Sequence, residues 1–410
     1  MTVECRFCSS RLDRVFADLG RTPLSNSYLE PSEAAIAAEK SFPLKVMVCD
    51  ECLLVQTTET VPAEEIFRDN YAYLSSTSTS WLAHAARYAD DMTQRWGLDS
   101  RSMVVEVASN DGYLLRNFVA AGIPVLGIEP ARNVAEIAVR SGVPTRAEFF
   151  TTAFARSLVD QGIRADLMAA NNVLAHVPDI ADFVGGFAAL LKPEGVVTFE
   201  FPHLLRLMQE TQFDTIYHEH YSYLSLVAVE KILASRGLRP FDVEFISTHG
   251  GSLRLYACHQ AAAHRPTDRL AALKEQEREA RLDRPEGYDG FAKDIEIVVA
   301  AFRQFVAEAR ARGETISAYG AAAKGNTFLN VCGIGAGDIR YAMDRAPTKQ
   351  GKLLPGSHIP VFAPEHFDEN PTDYVVILPW NIADEIKDAM ARVRRHGTRF
   401  VTAIPALAID

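Results

Sequence analysis

Val104-Val105-Glu106-Val107-Ala108-Ser109-Asn110-Asp111-Gly112-Tyr113-Leu114-Leu115 is the stretch whose reading decides the fold. Three valines around a carboxylate read as a buried strand. A turn of small residues follows, and Tyr113-Leu114-Leu115 opens an apolar helix. A second short strand, Val125-Leu126-Gly127-Ile128, ends in another carboxylate, Glu129. Strand, small turn, helix and a second strand closed by an acid is how a doubly wound α/β sheet presents a nucleoside site. The small turn lets the backbone approach the ligand, and the acid reaches the ribose hydroxyls.

The turn is not G-x-G-x-x-G. A pyrophosphate wants those glycines and a bare helix N-terminus, whereas a turn carrying Asn110 and Asp111 suits a cationic, phosphate-free cofactor. S-adenosylmethionine meets that description. Glu129 is then expected on its ribose, and Glu106, Ser109, Asn110, Asp111 and Gly112 around the rest of it. The plainer alternative is a strand–turn–helix with no ligand.

Outward from this unit the alternation continues. Leu167–Ala170 and Val196–Phe201 are expected strands, Asn133–Ser141 and Phe183–Leu191 helices, and Lys192-Pro193-Glu194-Gly195 a turn. A helix over Leu226–Arg236 precedes strands Phe241–Ser247 and Leu253–Ala257, which lie too close for a crossover helix and should pair antiparallel. That finish suits a methyltransferase sheet, here residues 75–262, better than a nicotinamide domain. Asn171 and Asn172 follow the third of these strands at the carboxyl edge and are further cofactor candidates. His176 faces the same crevice.

The stretch from residue 263 to about 310 is charged and helical, and reads as a connecting helix with a solvated face. A second, smaller α/β unit completes residues 263–410. Its strand Ile316–Tyr319 feeds the small-residue loop Gly320-Ala321-Ala322-Ala323-Lys324-Gly325-Asn326. Arg340–Asp344, Val375–Trp380 and Phe400–Ile404 are its other strands. Lys324 stands where a helix begins, Asn326 follows it, and Arg345, Lys349 and Lys352 share one loop. Together they point to a diphosphate; solvated charges are the alternative.

Four of the six cysteines lie near the start, as Cys5-Arg6-Phe7-Cys8 and Cys49-Asp50-Glu51-Cys52. In a reducing compartment two C-x-x-C turns read as a closed tetrahedral zinc site rather than disulfides, with a redox pair as the alternative. Four thiolates leave no open coordination position, so this zinc is structural. Residues 1–74 form the module, with a strand at Phe42–Val48 leading to the second pair. The hydroxyl run Ser75-Ser76-Thr77-Ser78-Thr79-Ser80 marks its boundary and caps a helix beginning near Trp81. Cys258 and Cys332 are solitary and expected in the core.

The net charge of −11 argues against non-specific nucleic-acid binding. No apolar run approaches the roughly 20 residues of a membrane span, and the first residues carry no basic and apolar leader. The expected compartment is the cytoplasm. Oligomeric state is left open, a monomer included.

The densest polar-aromatic cluster is Tyr217-His218-Glu219-His220-Tyr221-Ser222-Tyr223, just past the strand ending Glu200-Phe201-Pro202. It sits at the sheet edge where ligands bind. A histidine can take a proton there and a tyrosine can bond an oxyanion. A metal site on His218 and His220, or a plain loop, are the alternatives.

Taken together, these segments resemble the S-adenosylmethionine-dependent C-methyltransferases of TDP-4-ketosugars. The paired cysteines are similar to the family's zinc domain, and Glu106–Gly112 to its S-N-D-G loop. Tyr217–Tyr223 is similar to its Y-H-E-H-x-S-Y segment, His249–Leu253 to T-H-G-G-S-L, and Tyr319–Asn326 to Y-G-A-x-A-K-G. Ala108 departs from the glycine that relatives often carry. The resemblance implies a zinc module, a central Rossmann-like methyltransferase domain and a smaller C-terminal Rossmann-like domain. It implies methyl transfer to a carbon next to a sugar ketone through an enolate. His220 is the implied base, Tyr217 its partner or that of the ketone oxygen, and Glu219, His176 and Tyr71 the other pocket residues. The nearest resemblance is to enzymes methylating C-3 of TDP-3-amino-4-keto-2,3,6-trideoxy sugars. C-5 methylation, or a non-catalytic nucleotide-binding zinc protein, are the rival readings.

Overall fold

Short β-branched and aromatic runs, punctuated by small-residue turns, collect into three sheets. The computed structural model describes residues 3–58, 74–77 and 79–410; the hydroxyl-run position Ser78 and the pocket candidate Tyr71 lie outside them. In chain order the strands begin with β1 (Arg14–Thr22), β2 (Phe42–Val48), β3 (Val55–Thr57), β4 (Val104–Val107), β5 (Val125–Ile128) and β6 (Thr145–Arg146). Next come β7 (Ala165–Asn171), β8 (Leu191–Pro202), β9 (Ser222–Tyr223), β10 (Leu238–Ile246) and β11 (Ser252–His259). Last are β12 (Ile316–Tyr319), β13 (Ala342–Met343), β14 (Val361–Phe362), β15 (Tyr374–Ile377), β16 (Arg399–Thr402) and β17 (Ala408–Ile409).

The central sheet has the order β10-β11-β8-β7-β4-β5-β6. Strands β6, β5, β4, β7 and β8 run parallel, and β11 is antiparallel to both β8 and β10. The order reverses beside β4, so the carboxyl ends of β4, β5 and β7 open one crevice. All four residues of β4 and of β5 are buried, as a parallel strand covered on both faces requires. Lys192–Gly195, expected as a turn, is instead the ragged start of β8. The register skips between Ala165 and Leu167, and the chain bulges there. Pro193 lacks an N–H, so a bulge is where a strand tolerates it.

The zinc-module sheet, β1-β2-β3-β9, takes its last strand from far along the chain: Val55 pairs with Tyr223 and Gln56 with Ser222. The Tyr217–Tyr223 segment is thereby stitched to the zinc module. The third sheet, β14-β13-β12-β15-β16-β17, is parallel except for β17.

The charged stretch after residue 263 is not one solvated connector. It forms a helix at Asp268–Glu279 and a longer one at Phe291–Ala311. The longer helix buries Phe291, Ile295, Val298, Val299, Phe302, Phe305, Val306 and Ala309. Phe16 of β1 stacks on Phe291 at 4.6 Å, and Phe328 meets Phe302 at 4.7 Å. One core therefore joins the zinc-module sheet to the C-terminal sheet through this helix. Its exposed face carries the charges, while its apolar stripe is covered by partners distant in sequence. Cys258 and Cys332 are buried, as expected. Among the described residues no helix is long and apolar enough to cross a membrane.

Candidate active site and zinc centre

Cys5 and Cys52 sulfurs lie 3.5 Å apart, as do those of Cys8 and Cys49. All four fall within 4.8 Å of one another, and no other such metal-ligating group occurs among the described residues. Four sulfurs at this spacing fit a zinc with bonds of about 2.3 Å. Gln56 Nε2 donates to Cys5 Sγ at 3.1 Å, and Gln56 Oε1 accepts from the Arg6 amide at 2.8 Å. This outer bond holds the first ligand turn in place.

At the carboxyl edge of β4 the chain turns sharply, with φ of +58° at Ala108, +48° at Asn110 and +79° at Gly112. A Cβ on Gly112 would come within 2.9 Å of Val143 Cγ2, so glycine is required there. Ala108 adopts a left-handed conformation that an L-residue resists. Ala108→Gly is expected to stabilise the fold by roughly 0.5 kcal/mol, the strain relieved less the backbone entropy that glycine loses. A higher midpoint in denaturant titration is the expected result; a lower one would show that the alanine methyl contributes packing that outweighs its strain.

The Glu129 carboxylate, 4% exposed, is aimed by two backbone amides, Asn110 N on Oε2 and Ala131 N on Oε1, both at 3.0 Å. Burial pushes its pKa up, and the two amides pull it back. Glu106 is fully buried beside Tyr113, and burial with the nearby Glu129 and Asp111 carboxylates raises it well above the ordinary range. Ser109 Oγ, Asp111 Oδ1, Asn171 Oδ1 and Asn172 Oδ1 are buried oxygens without partners among the described residues. A crevice lined with unpartnered acceptors suits a cationic ligand that brings donors and positive charge.

Sequence reasoning missed two neighbours of this loop. The turn Ser75–Thr77 docks on it, Ser75 N donating to Asn110 Oδ1 at 2.9 Å and Ser76 N to Asp111 Oδ2 at 3.1 Å. Trp81 stacks on Tyr113 at 5.8 Å and on His84 at 4.8 Å. His84 in turn meets Glu200 at 3.0 Å, and Arg254 closes on the same carboxylate at 2.6 Å. The hydroxyl run signalled only a boundary, and no sequence signal tied Trp81 to Tyr113.

Facing the crevice, His220 is half-buried. Its Nδ1–H donates to the Thr215 carbonyl at 2.8 Å, which leaves Nε2 as the proton-accepting nitrogen of the neutral ring. Tyr217 lies on it at 4.0 Å between ring centroids and His176 meets it edge-on at 4.6 Å. Burial, with His176, His249 and Lys324 adding repulsion, holds the His220 pKa well below 6.5. Desolvation likewise lowers the half-buried His176 to about 4. His218 points elsewhere, its Nε2 at 3.1 Å from the Pro43 carbonyl. A metal on His218 and His220 therefore has no support. Glu219 accepts from Asn26 Nδ2 at 2.6 Å, towards the zinc module.

The five C-terminal candidates are not gathered at one point. Lys324 Nζ donates to the His249 carbonyl at 3.1 Å and lies over the Trp380 ring, beside the histidine cluster. Lys349 Nζ donates to the Ala321 carbonyl at 2.7 Å and Lys352 approaches Glu30 at 3.8 Å. Asn326 Nδ2 donates to the Ser25 carbonyl at 2.6 Å, and Arg345 lies by Tyr319.

A parallel sheet finished by an antiparallel pair, an acid after its second strand, an acceptor-rich loop after its first and a half-buried neutral histidine define an S-adenosylmethionine-dependent methyltransferase. Comparisons narrow the class. Family models described as a zinc binding domain, a methyltransferase domain and a C-methyltransferase C-terminal domain match residues 5–67, 81–242 and 247–405. The chain is 37% identical over 402 residues to C-methyltransferase NovU of Streptomyces niveus, across 98% of this chain and 95% of that protein. The chain belongs to this C-methyltransferase family. A ubiquinone biosynthesis O-methyltransferase of Rhodopseudomonas palustris (strain HaA2) is 31% identical over 98 residues, 23% of this chain and 37% of that protein. Among solved structures, magnesium protoporphyrin IX methyltransferase from Synechocystis PCC 6803 with bound SAH has a TM-score of 0.35 at 15% identity, covering 44% of this chain and 83% of that chain.

With the cofactor class known, Glu129→Ala is expected to weaken S-adenosylmethionine binding by roughly ten- to hundredfold. That is the loss of charge-assisted bonds worth about 1.5–3 kcal/mol. Calorimetric titration reads it, and an unchanged dissociation constant would remove Glu129 from the ribose.

Proposed function

We propose that this enzyme methylates C-3 of a TDP-linked 4-keto deoxysugar, probed best with TDP-3-amino-2,3,6-trideoxy-4-keto-glucose, in the assembly of an antibiotic deoxysugar. The observation that carries the reading is the His220 ring. It is half-buried, neutral, fixed in the Nδ1–H tautomer by Thr215, and flanked by Tyr217 and His176. A carbon nucleophile needs a proton removed, and a neutral, partly desolvated imidazole is a base suited to a hydrogen made acidic by an adjacent ketone.

S-adenosylmethionine supplies the electrophilic methyl. His220 Nε2 takes the proton from the carbon beside the C-4 ketone, and the electron pair moves into the ketone to give an enolate. Tyr217 donates to the enolate oxygen, and Glu219 and His176 shape the pocket around the sugar. Tyr71 is assigned to the same pocket. Glu129 holds the ribose, with Glu106, the Ser109–Gly112 loop, Asn171 and Asn172 around the remainder of the cofactor. Lys324 and Asn326 approach the substrate from the C-terminal unit, with Arg345, Lys349 and Lys352 nearer the diphosphate. Domain limits at 1–74, 75–262 and 263–410 follow the same division of labour.

The test is a mixture of enzyme, S-adenosylmethionine and the TDP-4-ketosugar, followed by mass spectrometry. A product heavier by one CH₂, with the new methyl on C-3 by NMR, is expected. A methyl on C-5, or cofactor binding without turnover, would replace the reading.

A further inference from the structure

Two turns hold the histidines of the crevice, and both are gripped by the C-terminal unit. The first is the 3₁₀ turn Phe213–Thr215, whose last carbonyl accepts the His220 Nδ1 proton. Asp214 in that turn is 1% exposed, and its Oδ2 accepts the indole N–H of Trp380 at 2.8 Å. The second is the turn Thr248–Gly250, with His249 at a φ of +57°. Lys324 bonds its His249 carbonyl, and a Cβ on Gly250 would lie 2.5 Å from Trp380 Cη2. Trp380 itself starts the 3₁₀ turn after β15 and carries Lys324 over its ring at 5.0 Å. Its footing is rigid: a Cβ on Gly320 would lie 2.3 Å from the preceding Pro379.

The indole N–H is the one side-chain donor to this carboxylate among the described residues. The field of Lys324 and the backbone amides of Asp214 and Thr215 favour the same charge. Without Trp380 the turn would keep its backbone bonds but lose the side-chain anchor one residue before the carbonyl that fixes His220.

We propose that Trp380 and Asp214 position the base: the C-terminal unit clamps the Phe213–Thr215 turn and through the Thr215 carbonyl sets the tautomer and aim of His220. The proposal rests on the reading of His220 as the base. It gives the C-terminal unit a part in catalysis besides substrate binding, because docking of that unit and alignment of the base become one event. Trp380 and Asp214 are positioning residues, acting through Thr215.

Trp380→Phe keeps the ring and deletes the N–H. In the full-length zinc-loaded enzyme, kcat should fall by roughly ten- to hundredfold, the cost of a small misalignment of a reacting group. KM for sugar and cofactor should be unchanged. Histidine-labelled protein should show by ¹⁵N and ¹³C NMR a single Nδ1–H tautomer for His220 in the wild type and a tautomer mixture in the variant. Should Trp380→Phe fold poorly, Trp380→Phe with Asp214→Leu removes both partners of the bond, and should show the same losses. A retained single tautomer with kcat reduced only in proportion to the folded fraction would overturn the proposal. So would full kcat in either variant. Wild-type enzyme that leaves every TDP-4-ketosugar unmethylated would instead sink the functional reading, whatever the tautomer measurement returns.

Discussion

Replacing His220 by Ala is expected to lower turnover by roughly 10²–10⁴-fold, the contribution of a positioned proton acceptor. Both ligands should still bind. His220→Asn preserves much of the shape but cannot take the proton, and should be similarly slow. Tyr217→Phe should lose less, since only one hydrogen bond goes. In deuterated water without cofactor, the wild type should exchange the acidic sugar hydrogen, and His220→Ala should abolish that exchange. Near-normal turnover in His220→Ala, with His176→Ala or Tyr217→Phe inactive, would pass the role of base to the residue that failed.

The same histidines set a pH dependence whose sign follows from their desolvation. His220 is held well below its ordinary 6.5, and His176 at about 4. Each is neutral in the folded protein at pH 7, so the acid limb of kcat/KM should lie below 6.5. A depressed folded pKa also means that the unfolded chain binds these protons first. Stability contributed by the neutral rings is full above 6.5 and is lost as the pH falls towards 4. Urea midpoints measured between pH 7 and 4 should decline, and less steeply in His176→Asn.

The second large effect is expected at the zinc. Each chain should hold one tightly bound zinc, and Cys49→Ser should abolish most of the folded yield. Cys49 is 0% exposed in a module whose strands alone form a small core. In isolated zinc modules the metal supplies about 10–16 kcal/mol of apparent binding free energy that becomes folding free energy. The loss should not stay local. β3 pairs with β9, and β9 closes the Tyr217–Tyr223 segment, so removing the zinc should inactivate the enzyme although four thiolates leave the metal no open position for chemistry. Elemental analysis, near-ultraviolet circular dichroism and activity after strong chelation would check this. A metal-free protein with ordered aromatic signals and full activity would contradict it.

What could be read along the chain was what adjacent residues decide. Period and composition identified β4, β5 and β12 because those strands are short apolar runs bounded by small residues. The five-residue gap between β10 and β11 forbade a crossover, and the antiparallel pairing follows. Two C-x-x-C turns announced the zinc because thiolate chemistry at that spacing has few other uses in a reducing compartment. Glu106 within β4 and Glu129 just after β5 pointed to the cofactor crevice. Tertiary structure decided the rest, because it turns on which distant surfaces meet. The charges of residues 263 to about 310 suggested a solvated connector, yet the helix Phe291–Ala311 buries eight apolar side chains, with Phe291 on β1 and Phe302 on the helix Ala323–Cys332. A two-residue strand such as β9 has no periodicity to detect; it exists because Val55 and Gln56 offered it an edge. Lys324 was placed beside the histidines rather than with Lys349 and Lys352, and Trp380 against Asp214, by the docking of the C-terminal unit. The types of chemistry were local and therefore legible, whereas the aim of His220 depends on bonds spanning many residues, and only the folded chain supplies those.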